Sequence, residues 1–297
     1  MLLVTTTHAV FILDFQSGSA WQISSGQGVY YGASFDRERM YIAARQAPYG
    51  GNKFGQRNSI LVFDRDLTLA GVERPDPPLR DTHQIFSTGD RLLCAGSFDD
   101  AIFVFENGAW SSFAPLPEGG IGMNRHHVNS IFVDADGIWL SGTKPSGHWA
   151  HLDHAGRLVD HRPLGDGTHN VWRHGGDTWV LSSREGAALS AGGARLPIRE
   201  EGWVRGIAGD GAGGWYVGIC QNRIRRDRAF SDCSIARIDP ATGAASAVRT
   251  LRGYGMVHDI RLLGTADPLH NGIAFPIDPE ALEGRFLEVA TDEEWAA

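Results

Sequence analysis

Cysteine is scarce in this chain: three in 297 residues, too few for a disulfide scaffold. No stretch approaches the ~18 apolar residues of a membrane-spanning helix. Positive charge is short as well. Lys and Arg number 27 against 35 Asp and Glu, and the net charge of −8 has the wrong sign for a general nucleic-acid binder. The opening MLLVTTTHAVFILDF has neither a basic leader nor a small-residue cleavage site and already alternates like strands. No signal peptide is expected, and the cytoplasm is the expected compartment. A Gly-rich phosphate loop, a CxxC pair and a nucleophile elbow are also missing. What the chain does hold is 38 glycines and 9 tryptophans with only 21% charged residues, the composition of many short strands joined by tight turns.

The strands repeat. Six segments share an apolar strand, a polar turn and a second strand: AVFILDFQSGSAWQI from Ala9, SILVFDRDLTLAGV from Ser59, AIFVFENGAWSSF from Ala101, HWAHLDHAGRLVDH from His148, AALSAGGARLPI from Ala187 and SIARIDPATGAASAV from Ser234. They recur at roughly 40 to 50 residues, the period of a four-stranded propeller blade. Five of the six are preceded by another strand–turn–strand unit, beginning at Tyr31, His83, Asn129, His169 and Arg205. The sixth inner strand is found at the other end of the chain, in HDIRLLG from His258, with LLVTT at the N-terminus as its partner. The expected fold is therefore all-β: a six-bladed β-propeller over residues 1–270 whose C-terminal strand closes the N-terminal blade and removes the open edge. Residues 271–297 read as a tail with the composition of a short amphipathic helix.

Strands A to D of a blade run outwards, so the D–A and B–C loops share one face. Two B–C loops carry insertions, RQAPYGGNKFGQRN from Arg45 and QNRIRRDRAFSD from Gln221. They bring Arg45, Lys53, Arg57, Arg223, Arg225, Arg226 and Arg228 to that face, and shorter loops add Lys144 and Arg184. An acidic chain that gathers cations on one face sets up a field for a small anion; the plainer alternative is solvated loop charge. Cys220 and Cys233 flank the second insertion and can face each other across a hairpin, either bridged or, as expected in a reducing cytosol, as free thiols.

The six residues at the starts of strand A read, around the ring, His258, Tyr31, His83, Asn129, His169 and Arg205. Histidine occupies alternate blades, so His83, His169 and His258 form a candidate ligand set for a divalent transition metal such as zinc, iron or manganese, with coordination positions left open. Direct substrate contacts and structural roles in the channel remain alternatives. His127 can stand in as a ligand or act as general base. Tyr31 is the other candidate for proton transfer, and Arg205 is suited to clamp a carboxylate or phosphate. Asn129, Arg45, Lys53, Lys144, Arg184 and Arg223 complete the expected substrate contacts. No acidic partner is evident at the three histidines.

The layout, with ligand candidates at inner-strand starts, resembles the six-bladed gluconolactonase and streptogramin lyase propellers. The segments WVRGIAGDGAGGWYVGICQNR and CSIARIDPATG resemble an uncharacterised bacterial propeller family, a domain of unknown function; that likeness spans about residues 120–263. The first resemblance implies a divalent ion at the channel mouth, with Asn129 matching an asparagine ligand of the gluconolactonases and a histidine serving as base, as in the lyases. Two functions are expected from this reading. One is a metal-dependent hydrolase or lyase acting on a small anionic substrate. The other is a non-catalytic ligand- or protein-binding propeller. Neither nucleic acid nor membrane is an expected partner.

Overall fold

The computed structural model describes residues 1–46, 55–221, 224 and 227–287. Six antiparallel sheets, five of four strands and one of five, surround a central channel. Blade 1 is assembled from both ends of the chain: Val257–Leu262 is its inner strand, followed outwards by Leu2–Thr6, Ala9–Leu13 and Ala20–Ser25. The closure register runs from Leu2 opposite Leu262 to Thr5 opposite Asp259. The inner strands of blades 2 to 6 are Val29–Phe35, Thr82–Ser87, Val128–Asp134, Thr168–His174 and Trp203–Gly209. Each touches the next around the ring, and Val257–Leu262 touches both the last and the first of these.

Inner strands are buried on both faces and read as near-continuous apolar or small-residue runs, whereas outer strands such as Leu158–Pro163 are mostly exposed. Trp172, Trp179 and Trp215 meet edge to face or stacked between blades 5 and 6, with ring centroids 5.3 to 6.3 Å apart. Tryptophans at equivalent B-strand positions therefore serve packing between blades.

One irregularity recurs in every blade. The pairing of strand A with strand B slips between Tyr30 and Ala33, Thr82 and Ile85, Val128 and Ser130, His169 and Val171, Val204 and Ile207, and at His258. These β-bulges fall at or beside the six aligned ring residues. A bulge re-aims side chains and bends the strand, so the ring positions break the simple in-and-out alternation of the inner strands. The backbone groups freed by the bulges are tied across blades by side chains. Gln84 Oε1 accepts from Ile131 N (2.8 Å), Ser130 Oγ from Val171 N (2.7 Å), Asn170 Oδ1 from Gly206 N (2.9 Å) and Asp259 Oδ2 from Ala33 N (3.0 Å). Gly32 is required here: a Cβ would stand 2.4 Å from the Gln84 Cα of the neighbouring blade.

Beyond Leu262 the chain crosses the far ends of the inner strands. Asp267 accepts from Gly209 N at 3.0 Å, His270 Nε2 meets Ser34 Oγ at 2.7 Å, and Asn271 donates to the carbonyls of Phe35 and Ser87. This segment is thus tied to the ends of inner strands in blades 2, 3 and 6. Among the described residues the tail forms one 3-10 turn, Pro279–Leu282, and a short strand, Phe286–Leu287, that adds to the outer edge of blade 1. Residues 288–297 lie outside the described residues. Among the described residues no helix is long and apolar enough to cross a membrane.

Candidate functional site

The open end of the channel holds a cavity of about 400 Å3 whose walls come from the D–A and B–C loops and the inner-strand starts. Tyr31, Arg45, His83, His127, Lys144, His169, Arg184 and Arg205, all singled out from the sequence, line it. Lys53 and Arg223, with Arg225 and Arg226, lie outside the described residues. Asn129 is buried away from the cavity: its Nδ2 donates to Thr168 O (2.9 Å) and its Oδ1 accepts from Ser141 Oγ (3.2 Å), a structural role. His258 does not line the cavity either. It packs beneath the Tyr31 ring at 4.3 Å, and its Nε2 lies 3.4 Å from Thr7 Oγ1.

The expected three-histidine ligand set is not what the geometry draws together. Among the described residues, the one group of three whose donor atoms all lie within 4.8 Å of one another is Asp81, His83 and His127, all buried. His83 Nε2 stands 3.5 Å from Asp81 Oδ1, and His127 Nε2 stands 3.8 Å from Asp81 Oδ2. His169 stacks on His83 with centroids 5.9 Å apart but is held by its own Nδ1, which bonds Gly167 O (2.7 Å) and Ser183 Oγ (2.9 Å). His83 thus has an acidic partner after all, two residues before it in the loop. Two imidazoles and one carboxylate, open towards a cavity, suit zinc or iron(II).

The loops that carry this trio are set by buried carboxylates. Asp100 accepts the consecutive backbone N–H groups of Arg125, His126 and His127, the last at 2.6 Å. This holds His127 at φ 52°, and Asp81 stands at φ 53°; such left-handed backbone at non-glycine residues concentrates at functional sites. Asn124 Oδ1 lies 2.9 Å from His127 Nδ1, so the other ring nitrogen is turned to Asp81, the outer-shell arrangement that orients ligand imidazoles. Arg45 Nη1 reaches both Asp81 Oδ1 (3.2 Å) and the Tyr31 hydroxyl (3.0 Å).

Cations dominate the rest of the wall. Arg205 lies 5.3 Å from the Tyr31 ring centroid and Arg228 lies 3.6 Å from that of Trp203. Lys144 Nζ donates to Asn124 O, and Arg184 pairs with Asp166 at 3.2 Å. Asp81, Asn124 and Met256 are not singled out from the sequence; Arg228 is, among the loop cations, and Trp203, two residues before Arg205, reads as able either to stack on a ligand or to pack.

Burial pushes His169, His258 and His270 well below the usual imidazole range, with repulsion from Arg205 added for the first two and from Arg261 for the third. Burial also pushes His148 down to about 4. Unfolded, each imidazole takes up a proton near pH 6.5. Between pH 6.5 and about 4 the unfolded chain therefore binds more protons at these residues, and stability falls as pH falls. Buried Asp99, Asp259 and Asp267 act in the opposite sense, all raised by burial. Asp259 reaches about 6 against the pull of Arg261, so above pH 5 the carboxyls offset only part of the effect of four imidazoles. The urea midpoint should drop between pH 6.5 and 5, each imidazole contributing up to about 1.4 kcal/mol per pH unit. A midpoint that holds or rises over that range would contradict the burial of these rings.

No family model matches the chain, and no curated protein matches it. Solved structures do. The nidogen–laminin complex contains a chain that superposes with a TM-score of 0.66 at 12% identity, covering 88% of this chain and 97% of that one. A protein of unknown function from Bacteroides caccae gives 0.64 at 13% identity over 88% and 97%. A protein provisionally assigned as a 6-phosphogluconolactonase, from Bacteroides fragilis, gives 0.52 at 12% identity over 87% and 96%. At these identities the likeness is one of fold alone.

Proposed function

We propose that this propeller is a metal-dependent hydrolase or lyase acting on a small anionic molecule at the open channel mouth. The observation that carries the reading is the buried Asp81–His83–His127 trio facing a cavity whose other walls present Arg45, Arg205, Arg228 and Lys144. Asp81, His83 and His127 would hold the metal, which would supply Lewis-acid chemistry, polarising a carbonyl or acidifying a water. Arg205 and Arg228, each laid against an aromatic ring, bind the substrate's carboxylate or phosphate. Tyr31, hydrogen-bonded by Arg45, stands in the wall beside them to pass a proton. Elemental analysis after equilibration with zinc, iron(II) or manganese tests the metal. Asp81→Asn, His83→Ala and His127→Ala should each lower bound metal by one equivalent, and His258→Ala should not. Unchanged stoichiometry in the first three variants would remove the metal from this cavity.

A binding role is favoured by a different observation. The mouth-side loops expose Ile121, Met123, Ile224 and Phe230, the last 78% exposed, and such residues can anchor a partner. An acidic protein docking on this face would be weakened by Phe230→Ala and indifferent to His83→Ala; the enzyme reading requires the reverse.

A further inference from the structure

We infer that blade 4 carries a second transition-metal site, formed by His126, His148 and His161. These residues lie outside the central trio and line no part of the mouth cavity. Their rings form a compact triangle. Centroids of His148 and His161 are 4.9 Å apart, those of His126 and His148 5.9 Å, and those of His126 and His161 6.1 Å, with interplanar angles of 76° to 81°. Three imidazoles on one tetrahedral ion, with metal–nitrogen bonds of about 2.0–2.1 Å, place their centroids about 5 Å apart. The sheet register produces this clustering: His148 pairs with Pro163 and Ala150 with His161, so the two histidines share one face of the outer hairpin as diagonal neighbours. His126 reaches them from the loop leading into the inner strand.

Protonation supplies an independent observation. The Nε2 of His126 lies 2.7 Å from the carbonyl of Pro117, and the Nδ1 of His148 lies 3.1 Å from the carbonyl of Ser146. A carbonyl only accepts, so those nitrogens carry the protons. The opposite nitrogens, His126 Nδ1 and His148 Nε2, are left as lone pairs, and both are buried with no hydrogen-bond partner. His148 itself is 4% exposed. A histidine whose outer N–H is fixed by a backbone carbonyl and whose inner nitrogen meets no donor has the arrangement of a metal ligand. Gly142 leaves that nitrogen uncovered: a Cβ there would stand 2.4 Å from His148 Nε2. The three rings' nitrogens do not yet all lie within 4.8 Å of one another. His161, exposed on the outermost strand, closes the set by turning its ring inwards.

An all-imidazole set selects zinc, copper or nickel over magnesium or calcium. Its effect is to staple the outer hairpin of blade 4 to the loop that also carries His127. The carbonyl of His126 already accepts from Thr143 N and Lys144 N at 3.1 and 3.0 Å, so an ion here would fix the same loop from its other side.

Zinc titration of the full chain by calorimetry tests the site. In a His83→Ala background, which removes the central trio, the protein should bind one equivalent of zinc. Adding His161→Ala should abolish that binding or weaken it at least 100-fold, while adding His154→Ala, an exposed histidine of the same hairpin, should leave it unchanged. His161 is on the surface, so its variant keeps the fold. His148→Ala should repeat the loss. Zinc bound equally well without His161 and without His148 would overturn the proposal. If the central site alone is wrong, the wild type binds one equivalent and His161→Ala binds none, which separates the two failures.

Discussion

A chain ending at Gly255 should not fold. Removing the residues beyond it strips the inner strand Val257–Leu262 from blade 1 and exposes the edge of Leu2–Thr6 that it pairs with. It also removes Val257, Ile260, Leu262, Leu263, Leu269, Phe275 and Leu282 from the core. At roughly 1.5–3 kcal/mol for each buried apolar side chain, the loss is as large as the 5–15 kcal/mol that holds a typical domain together, or larger. The buried Asp259–Arg261 pair (2.6 Å) goes with them, and so do its bonds to Ala33 in blade 2 and Ile207 in blade 6. Circular dichroism in urea should show no cooperative transition for the truncated chain, and a peptide of residues 256–287 added in trans should restore part of it. A soluble truncation that unfolds cooperatively by itself would mean that closure contributes little.

The second large effect is expected at Asp81. Its carboxylate pairs with Arg45, and both side chains are 2% exposed or less. Asp81→Ala leaves a buried guanidinium without that carboxylate, which costs about 3–5 kcal/mol when one partner of a buried pair is removed. The double variant Asp81→Ala/Arg45→Met removes both charges and should recover most of the stability, since replacing a whole buried pair by apolar groups is often near neutral. It should not recover the metal. Urea unfolding of the two variants separates the effects. A single variant within about 0.5 kcal/mol of wild type, as expected for an ordinary surface substitution, would show that Asp81 is not part of a buried electrostatic centre.

The architecture was legible because it rests on repetition. Hairpins at blade spacing, one hairpin more than there were inner strands before it, and a spare apolar strand near the C-terminus leave few ways to close a ring. The ring residues were legible for the same reason, and the bulge that serves each of them explains why so polar a set of residues recurs in otherwise apolar strands. The ligand geometry was not. Asp81 lies in a loop just ahead of the aligned strand, at a positive φ that no strand pattern signals. His127 reaches the site and Asn129 does not because three backbone bonds to Asp100 twist the loop, a contact to blade 3 that spacing within blade 4 does not reveal. His258 aligns with His83 in sequence, and both lie at a bulge, but His258 packs under the Tyr31 ring of the neighbouring blade. A local alignment finds which residues face the channel; their depth and direction follow from register and from neighbouring blades.

The proposed chemistry depends above all on a metal between Asp81, His83 and His127. Anomalous scattering at the zinc edge, from crystals equilibrated with zinc, locates it without reference to activity. A peak is expected within about 2.0–2.2 Å of the Asp81 carboxylate and one nitrogen each of His83 and His127, with the ion's remaining positions turned to the basic cavity. Zinc bound instead by His169 and His258, or no peak at this point while Arg45 still holds Asp81, would contradict it.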